Sequence, residues 1–138
     1  MKEVVAYFKQ ELKANQDFEQ HKEAFWNLGK QIKDYSSAEL RLLHILLLQE
    51  YGNDVVISIR NLQTIKKFYL RYSTYPRILI DYPTITWYTH MLILKHCSSL
   101  EDCLYVLDFA QKNHCTSCQL ERLMKEQGWK RSTKNDIL

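Results

Sequence analysis

Two short groupings of side chains in this sequence have the residue types of a metal site. Cys115 and Cys118 stand three apart with His114 beside them, and His96 precedes Cys97. Two thiolates at that spacing can hold half of a tetrahedral zinc site, but a strong site would show a second close pair. No such pair exists, so the residues read as small side chains around a helix start, and no metal is expected. Glu11-Leu12-Lys13 matches the short end of a metal-dependent nuclease site. That chemistry also needs an upstream Asp and paired strands. No Asp precedes Glu11, and the spacing there is helical. His44, inside "LLHILLL", reads as a core or boundary histidine, because catalysis needs oriented partners. No glycine-rich phosphate loop occurs, and no Ser/His/Asp set can be argued. No catalytic residue and no cofactor are expected.

The more distinctive chemistry is positive charge. From Val55 to Ile80 there are five Lys or Arg (60, 66, 67, 71 and 77) and no Asp or Glu. Five exceeds the chain's formal net charge of +3, so the remainder is net acidic and the basic character is a local patch. Within it, "ISIRNLQTIKKFYLRY" (Ile57–Tyr72) has helical spacing. On a helix advancing about 100° per residue, Gln63, Thr64, Lys67 and Arg71 all fall within about 60° of Arg60. Leu62, Ile65, Tyr69 and Tyr72 take the opposite side, and Asn61 and Lys66 flank the strip. Arg and Gln can donate bidentately to base edges, and Thr and Lys reach phosphates. The expected double-stranded-DNA-binding residues are therefore Arg60, Asn61, Gln63, Thr64, Lys66, Lys67 and Arg71. An ordinary solvated helix also turns polar residues outward. The uniform sign separates the two, since a merely soluble face usually mixes Glu with Lys.

The elements that must position this strip are helical. Only 3 Gly and 2 Pro in 138 residues argue for long helices with short connections rather than many strands. Lys2 to Tyr35 reads as one long helix or two in line, with "NQD" (Asn15–Asp17) as the interruption. "SSAE" (Ser36–Glu39) is a capping box opening a helix that stops at Gly52. Ser58 is the expected N-cap of the basic helix, and Pro76 bars its continuation. "RILIDYPT" reads as an extended connector with a few helical residues. Further helices start at Thr84 or Thr86, at Ser98 or Ser99, and at Thr116, the last stopping at Gly128. The fold class is all-α with about six helices. Two helices about Gly52 make it a helix-turn-helix-containing bundle, in which the first helix braces the second in the major groove.

Three segments are expected: an N-terminal helical segment over 1–35, a helix-turn-helix-like domain over 36–129, and a flexible basic tail over 130–138. Val4, Val5, Phe8 and Leu12 form a stripe that could pair with a second copy, making residues 1–35 a dimerisation arm. The longest apolar run, Leu42–Leu48, is too short to span a bilayer. "MKEVVAYFKQELK" has no apolar core of a signal peptide. The expectation is a cytoplasmic protein with no membrane contact and four reduced Cys. Trp26, Trp87 and Trp129 read as core or interface anchors, and Cys103 as packing.

Four elements carry a likeness. They are "WNLGKQI" (Trp26–Ile32), "EYGNDVVISIRNLQTIKKFYLRYSTYP" (Glu50–Pro76), "TITWYTHMLIL" (Thr84–Leu94) and "QLERLM" (Gln119–Met124). In the second, Tyr51, Gly52, Ser58, Asn61, Leu62, Ile65, Phe68 and Tyr69 hold the matching positions. With these, the sequence resembles the N-terminal domain-of-unknown-function module of YhcG-type proteins, over about Phe25 to Gly128. Two positions depart from the pattern. The family's His follows its Trp by two, where this chain has Thr89, with His90 one later. Cys115 stands where the family has a second Trp. The resemblance implies a helix-turn-helix-like binding domain of the kind that precedes a PD-(D/E)xK nuclease-like domain. It thereby implies a nuclease partner, and a binding module without the nuclease half. The competing expectation is a protein-interaction or oligomerisation module without direct DNA contact.

Overall fold

Five helix starts in this chain are written as side-chain caps. Ser36 Oγ accepts from the Glu39 amide at 3.2 Å while Glu39 Oε1 accepts from the Ser36 amide at 3.1 Å. The same exchange joins Thr116 and Gln119, at 3.1 and 3.0 Å. Ser58, Thr86 and Ser99 each accept from the amide three residues on, all at 3.1 Å. Each bond satisfies one of the amides that a helix start leaves without an intrahelical partner. In the two ambiguous places the nearer residue caps, Thr86 and not Thr84, Ser99 and not Ser98.

The computed structural model describes residues 1–12, 22–51 and 58–127. These hold eight α-helices and no strand: α1 Lys2–Leu12, α2 Lys22–Ile32, α3 Ser37–Tyr51, α4 Ile59–Tyr72, α5 Ile78–Asp81, α6 Trp87–His96, α7 Leu100–Lys112 and α8 Ser117–Gln127. The all-α class stands, with more helices than the expected six. The N-terminal segment supplies two, and "RILIDYPT" contains the single turn of α5. The "NQD" interruption, Gly52 and its turn, Gly128, Trp129 and the basic tail lie outside the described residues.

The chain divides into two compact units, Met1–Leu70 and Arg71–Leu138, with the division inside α4. In the first unit α1 packs on α2 and α3. Val4 and Phe8 are buried, and the Tyr7 hydroxyl donates to the Ala24 carbonyl at 3.3 Å. The stripe expected to serve a dimerisation arm is thus already covered within the chain at those two positions. Phe25, Leu28, Ile32, Leu43, Leu47, Leu62, Ile65 and Phe68 are buried as well. α3 leaves Leu42, Ile45 and Leu48 exposed, at 48%, 49% and 36%.

In the second unit α6 packs on both α7 and α8. Ile78, Trp87, Ile93, Leu94, Leu107 and Leu120 are buried there. α7 ends in a Schellman motif: the Cys115 amide donates to the Ala110 carbonyl at 3.0 Å and the His114 amide to the Gln111 carbonyl at 3.4 Å. His114 is held at φ 51° to make this turn. Glycine adopts that conformation without the roughly 1–2 kcal/mol steric cost of an L-side chain. His114→Gly should therefore stabilise the domain by about 1 kcal/mol, less what the glycine adds to the freedom of the unfolded chain. Urea denaturation reads this directly. A loss of stability would mean that the imidazole has a role beyond the turn.

Asp81 shows how short-range polar contacts tie the second unit. Its carboxylate accepts from the Tyr75 hydroxyl and from Arg77, Nε at 3.2 Å and Nη2 at 3.1 Å. The Tyr75 hydrogen bond and the Arg77 charge hold the carboxyl below its ordinary range, against the opposing effect of burial. A depressed folded-state value makes the ionised form stabilising above the ordinary Asp range, with that contribution lost as pH falls through the folded value. Asp81→Asn should remove this part of the acid-side fall in stability, read by denaturation at a series of pH values.

Candidate nucleic-acid interface

The basic strip rides on α4, and α4 is seated by its opposite side. Leu62, Ile65 and Phe68 are fully buried on that side. α2 comes close there: a Cβ built on Gly29 would lie 2.6 Å from Tyr69 Cβ and 2.8 Å from the Ile65 carbonyl oxygen. Only a residue without a side chain allows this approach. Trp26, three residues before Gly29, lays its ring on Tyr69 at 4.7 Å and edge-on to Phe68 at 6.0 Å. Gly29 and Trp26 are thus the residues of "WNLGKQI" that dock α2 on α4, and the orientation of the outward face follows from that docking.

Arg60, Gln63 and Lys67 are exposed. They recur at i, i+3 and i+7, so they run along one face for about 10 Å of helix. Thr64 is half-buried, and its hydroxyl donates back to the Arg60 carbonyl at 2.9 Å. Asn61 is half-buried, and its amide donates to the capping Ser58 hydroxyl. α4 carries no acidic residue, so nothing on the helix itself neutralises this face.

The remaining two cations are used within the chain. Lys66 Nζ donates to the Tyr35 carbonyl, which follows the end of α2. Arg71, expected in the outward strip, is the first residue of the second unit, and within that unit Nη1 donates to the Cys97 carbonyl at 2.6 Å and to Cys103 Sγ at 3.0 Å. A helical wheel assigns Arg71 a direction but carries no information on what lies in that direction. Beyond Leu70 the chain belongs to the second unit, and the guanidinium meets protein.

The metal-like groupings resolve into structure. His114 and Cys115 make the Schellman turn that ends α7, and Cys118 is exposed in the first turn of α8. Among the described residues no three His, Cys, Asp or Glu side chains gather to hold a metal ion. His44 is half-buried. No helix among the described residues is long and apolar enough to cross a membrane.

Two features had no signal in the sequence. One is the Arg71–Cys97–Cys103 cluster, which brings together α4, the end of α6 and the first turn of α7. The other is a pair of Tyr–Asp contacts, Tyr75 to Asp81 and Tyr82 to Asp108. The Tyr82 hydroxyl is pushed well above the ordinary phenol range by burial and by the Asp108 carboxylate.

These elements define an all-helical domain that turns a basic, acid-free helix face outward. The chain belongs to the DUF1016 N-terminal domain family, whose model matches residues 2–131. That span includes the whole of the Phe25–Gly128 likeness and adds α1 to it. No curated protein and no solved structure matches the chain.

Proposed function

We propose that this domain is a non-enzymatic double-stranded-DNA-binding module of helix-turn-helix type, acting with a nuclease or mobile-element system. The observation that carries the reading is the exposure of Arg60, Gln63 and Lys67 on one acid-free helix face. Attraction to phosphates would supply most of the affinity, and Arg60 and Gln63 can read base edges in a major groove. Thr64 and Asn61 stand at the edge of the interface. Lys66 and Arg71 already donate within the chain, so they contribute less of their charge to this face than Arg60 and Lys67 do. Anisotropy with duplex DNA at two salt concentrations is the test. Binding that weakens steeply with salt is expected, and binding indifferent to salt would sink the reading.

A second reading has its own observation. Leu42, Ile45 and Leu48 recur on α3 and are exposed, which suits a protein partner or a second copy better than it suits solvent. In this reading the domain is an interaction or oligomerisation module. Light scattering at high concentration separates it: a monomer whose mass is unchanged by Ile45→Glu leaves no role for this face in self-association. Both readings hold together if the module binds DNA as a dimer.

A further inference from the structure

α3 is apolar on two sides. Leu40, Leu43 and Leu47 are buried within the first unit, while Leu42, Ile45 and Leu48 are exposed. A helix that is apolar on both sides is one that other elements cover on both. The exposed side is centred on Ile45, with Leu42 three residues before it and Leu48 three after. At about 100° per residue, Ala38, Arg41 and Gln49 share this arc of α3, and all three are exposed. Glu39 and Glu50 fall at least about 120° from Ile45, so Arg41 is the one charged residue of α3 on the arc.

We propose that this side of α3 pairs with the α3 of a second copy of the chain, antiparallel, about a two-fold axis at Ile45. The proposal rests on the reading of α3 as an interaction face, and it names the partner. A two-fold interface brings together the same patch on both copies, so the patch must complement itself. The spacing Leu42, Ile45, Leu48 is the same in both directions. In antiparallel register Ile45 meets Ile45, and each Leu42 meets the other copy's Leu48, along a seam about 9 Å long. A face built for an unrelated protein needs no such symmetry. Charge selects the direction. Parallel helices would set Arg41 against Arg41. Antiparallel helices set each Arg41 opposite the other copy's Gln49, whose side-chain carbonyl accepts from a guanidinium. The helix dipoles also oppose one another only in the antiparallel pair.

Three apolar side chains per copy fall well short of the roughly 800 Å² per partner of a standard interface. Association through α3 alone is therefore weak, with a dissociation constant on the order of 0.1 mM. Arg60, Gln63 and Lys67 lie in the same compact unit as α3, so the pairing repeats their face about the same axis. A two-fold-symmetric duplex engaging both faces would supply the remaining affinity.

Sedimentation of the full chain at up to about 1 mM, joined to cysteine cross-linking, is the test. The mass should rise with concentration, and Ile45→Glu should hold it at the monomer value. For cross-linking, exposed Cys118 and half-buried Cys115 are first replaced by Ser. A disulfide needs Cα atoms within about 7 Å, and two copies of position 42 would stand about 9 Å apart along the axis. Under mild oxidation Ile45→Cys should therefore cross-link to itself. A mixture of Leu42→Cys and Leu48→Cys should give the mixed dimer at least about tenfold faster than either gives its own. Gln49→Glu should tighten pairing by roughly fivefold through two exposed ion pairs with Arg41, a gain that fades in high salt. Circular dichroism reports whether each variant is folded, and the cysteine variants decide if Ile45→Glu is not. Association lost in Ile45→Glu, with Leu42→Cys and Leu48→Cys each cross-linking to itself, would keep α3 as an interaction face and overturn the antiparallel pairing. A Gln49→Glu chain that pairs no more tightly would overturn its register. A monomer at every concentration would overturn the second copy as partner, and association untouched by Ile45→Glu would overturn the pairing and the α3 reading together.

Discussion

Arg60→Ala combined with Lys67→Ala should flatten the salt dependence of duplex-DNA binding by about two phosphate contacts and weaken binding at low salt by ten- to a hundredfold. The argument is electrostatic. Each cation that neutralises a phosphate releases a condensed counterion, so each one lost lowers the logarithmic salt slope by roughly 0.9. Arg60 and Lys67 are exposed on the same face, two turns apart, and no acidic side chain on α4 offsets them. Gln63→Ala should behave differently. It carries no charge, so the slope should persist while preference among DNA sequences relaxes, at about 1–3 kcal/mol for a lost bidentate contact. Lys66→Ala provides the contrast. Its ammonium is held by the Tyr35 carbonyl, so its loss should appear in thermal stability and hardly in the slope. A double variant that binds with an unchanged slope would remove α4 from the interface, whatever else the domain binds.

Gly29→Ala should lower the stability of the first unit by about 2 kcal/mol, the middle of the 1–3 kcal/mol range for overpacking. Alanine in a helix interior is normally worth up to about 1 kcal/mol over glycine, so the expected sign runs against propensity. The reason is what the new methyl would meet. Tyr69 Cβ at 2.6 Å and the Ile65 carbonyl oxygen at 2.8 Å are both fixed by the α4 backbone, so no flexible side-chain end can swing aside. α2 would have to lift off α4, and the Trp26 contacts with Tyr69 and Phe68 would open with it. A thermal scan against Lys30→Ala, at an exposed neighbouring position, isolates the effect. A Gly29→Ala protein as stable as the parent would mean that the two helices have room to separate. Because α2 seats α4, the same variant should also weaken DNA binding without changing the salt slope per contact.

Helix starts are legible in this sequence because the interaction that governs them spans three residues. Ser36, Ser58, Ser99 and Thr116 cap the helices that their spacing announced, because an N-cap bond joins residue i to i+3 and needs nothing from elsewhere. The inward side of α4 was equally legible, since an amphipathic period is a property of the helix alone. Gly29 was visible as part of a motif but without a cause; the cause is Tyr69, forty residues away. "LLHILLL" could not reveal that Leu42, Ile45 and Leu48 are the uncovered members of the run. A run of apolar residues has no face until neighbouring helices take one.

Arg71 and Cys103 mark the boundary most sharply. By itself the sequence determined an all-helical chain, its helix starts, and an acid-free basic stretch with one polar and one apolar side. These depend on composition, backbone capping and a period of 3.6 residues, all of them local. Only the tertiary structure decided that Arg60, Gln63 and Lys67 stay at the surface, while Lys66 closes on Tyr35 and Arg71 on Cys97 and Cys103. A long cationic side chain reaches whatever lies within several ångströms of its helix. Whether that is water or a carbonyl thirty residues away is set by how the helices pack.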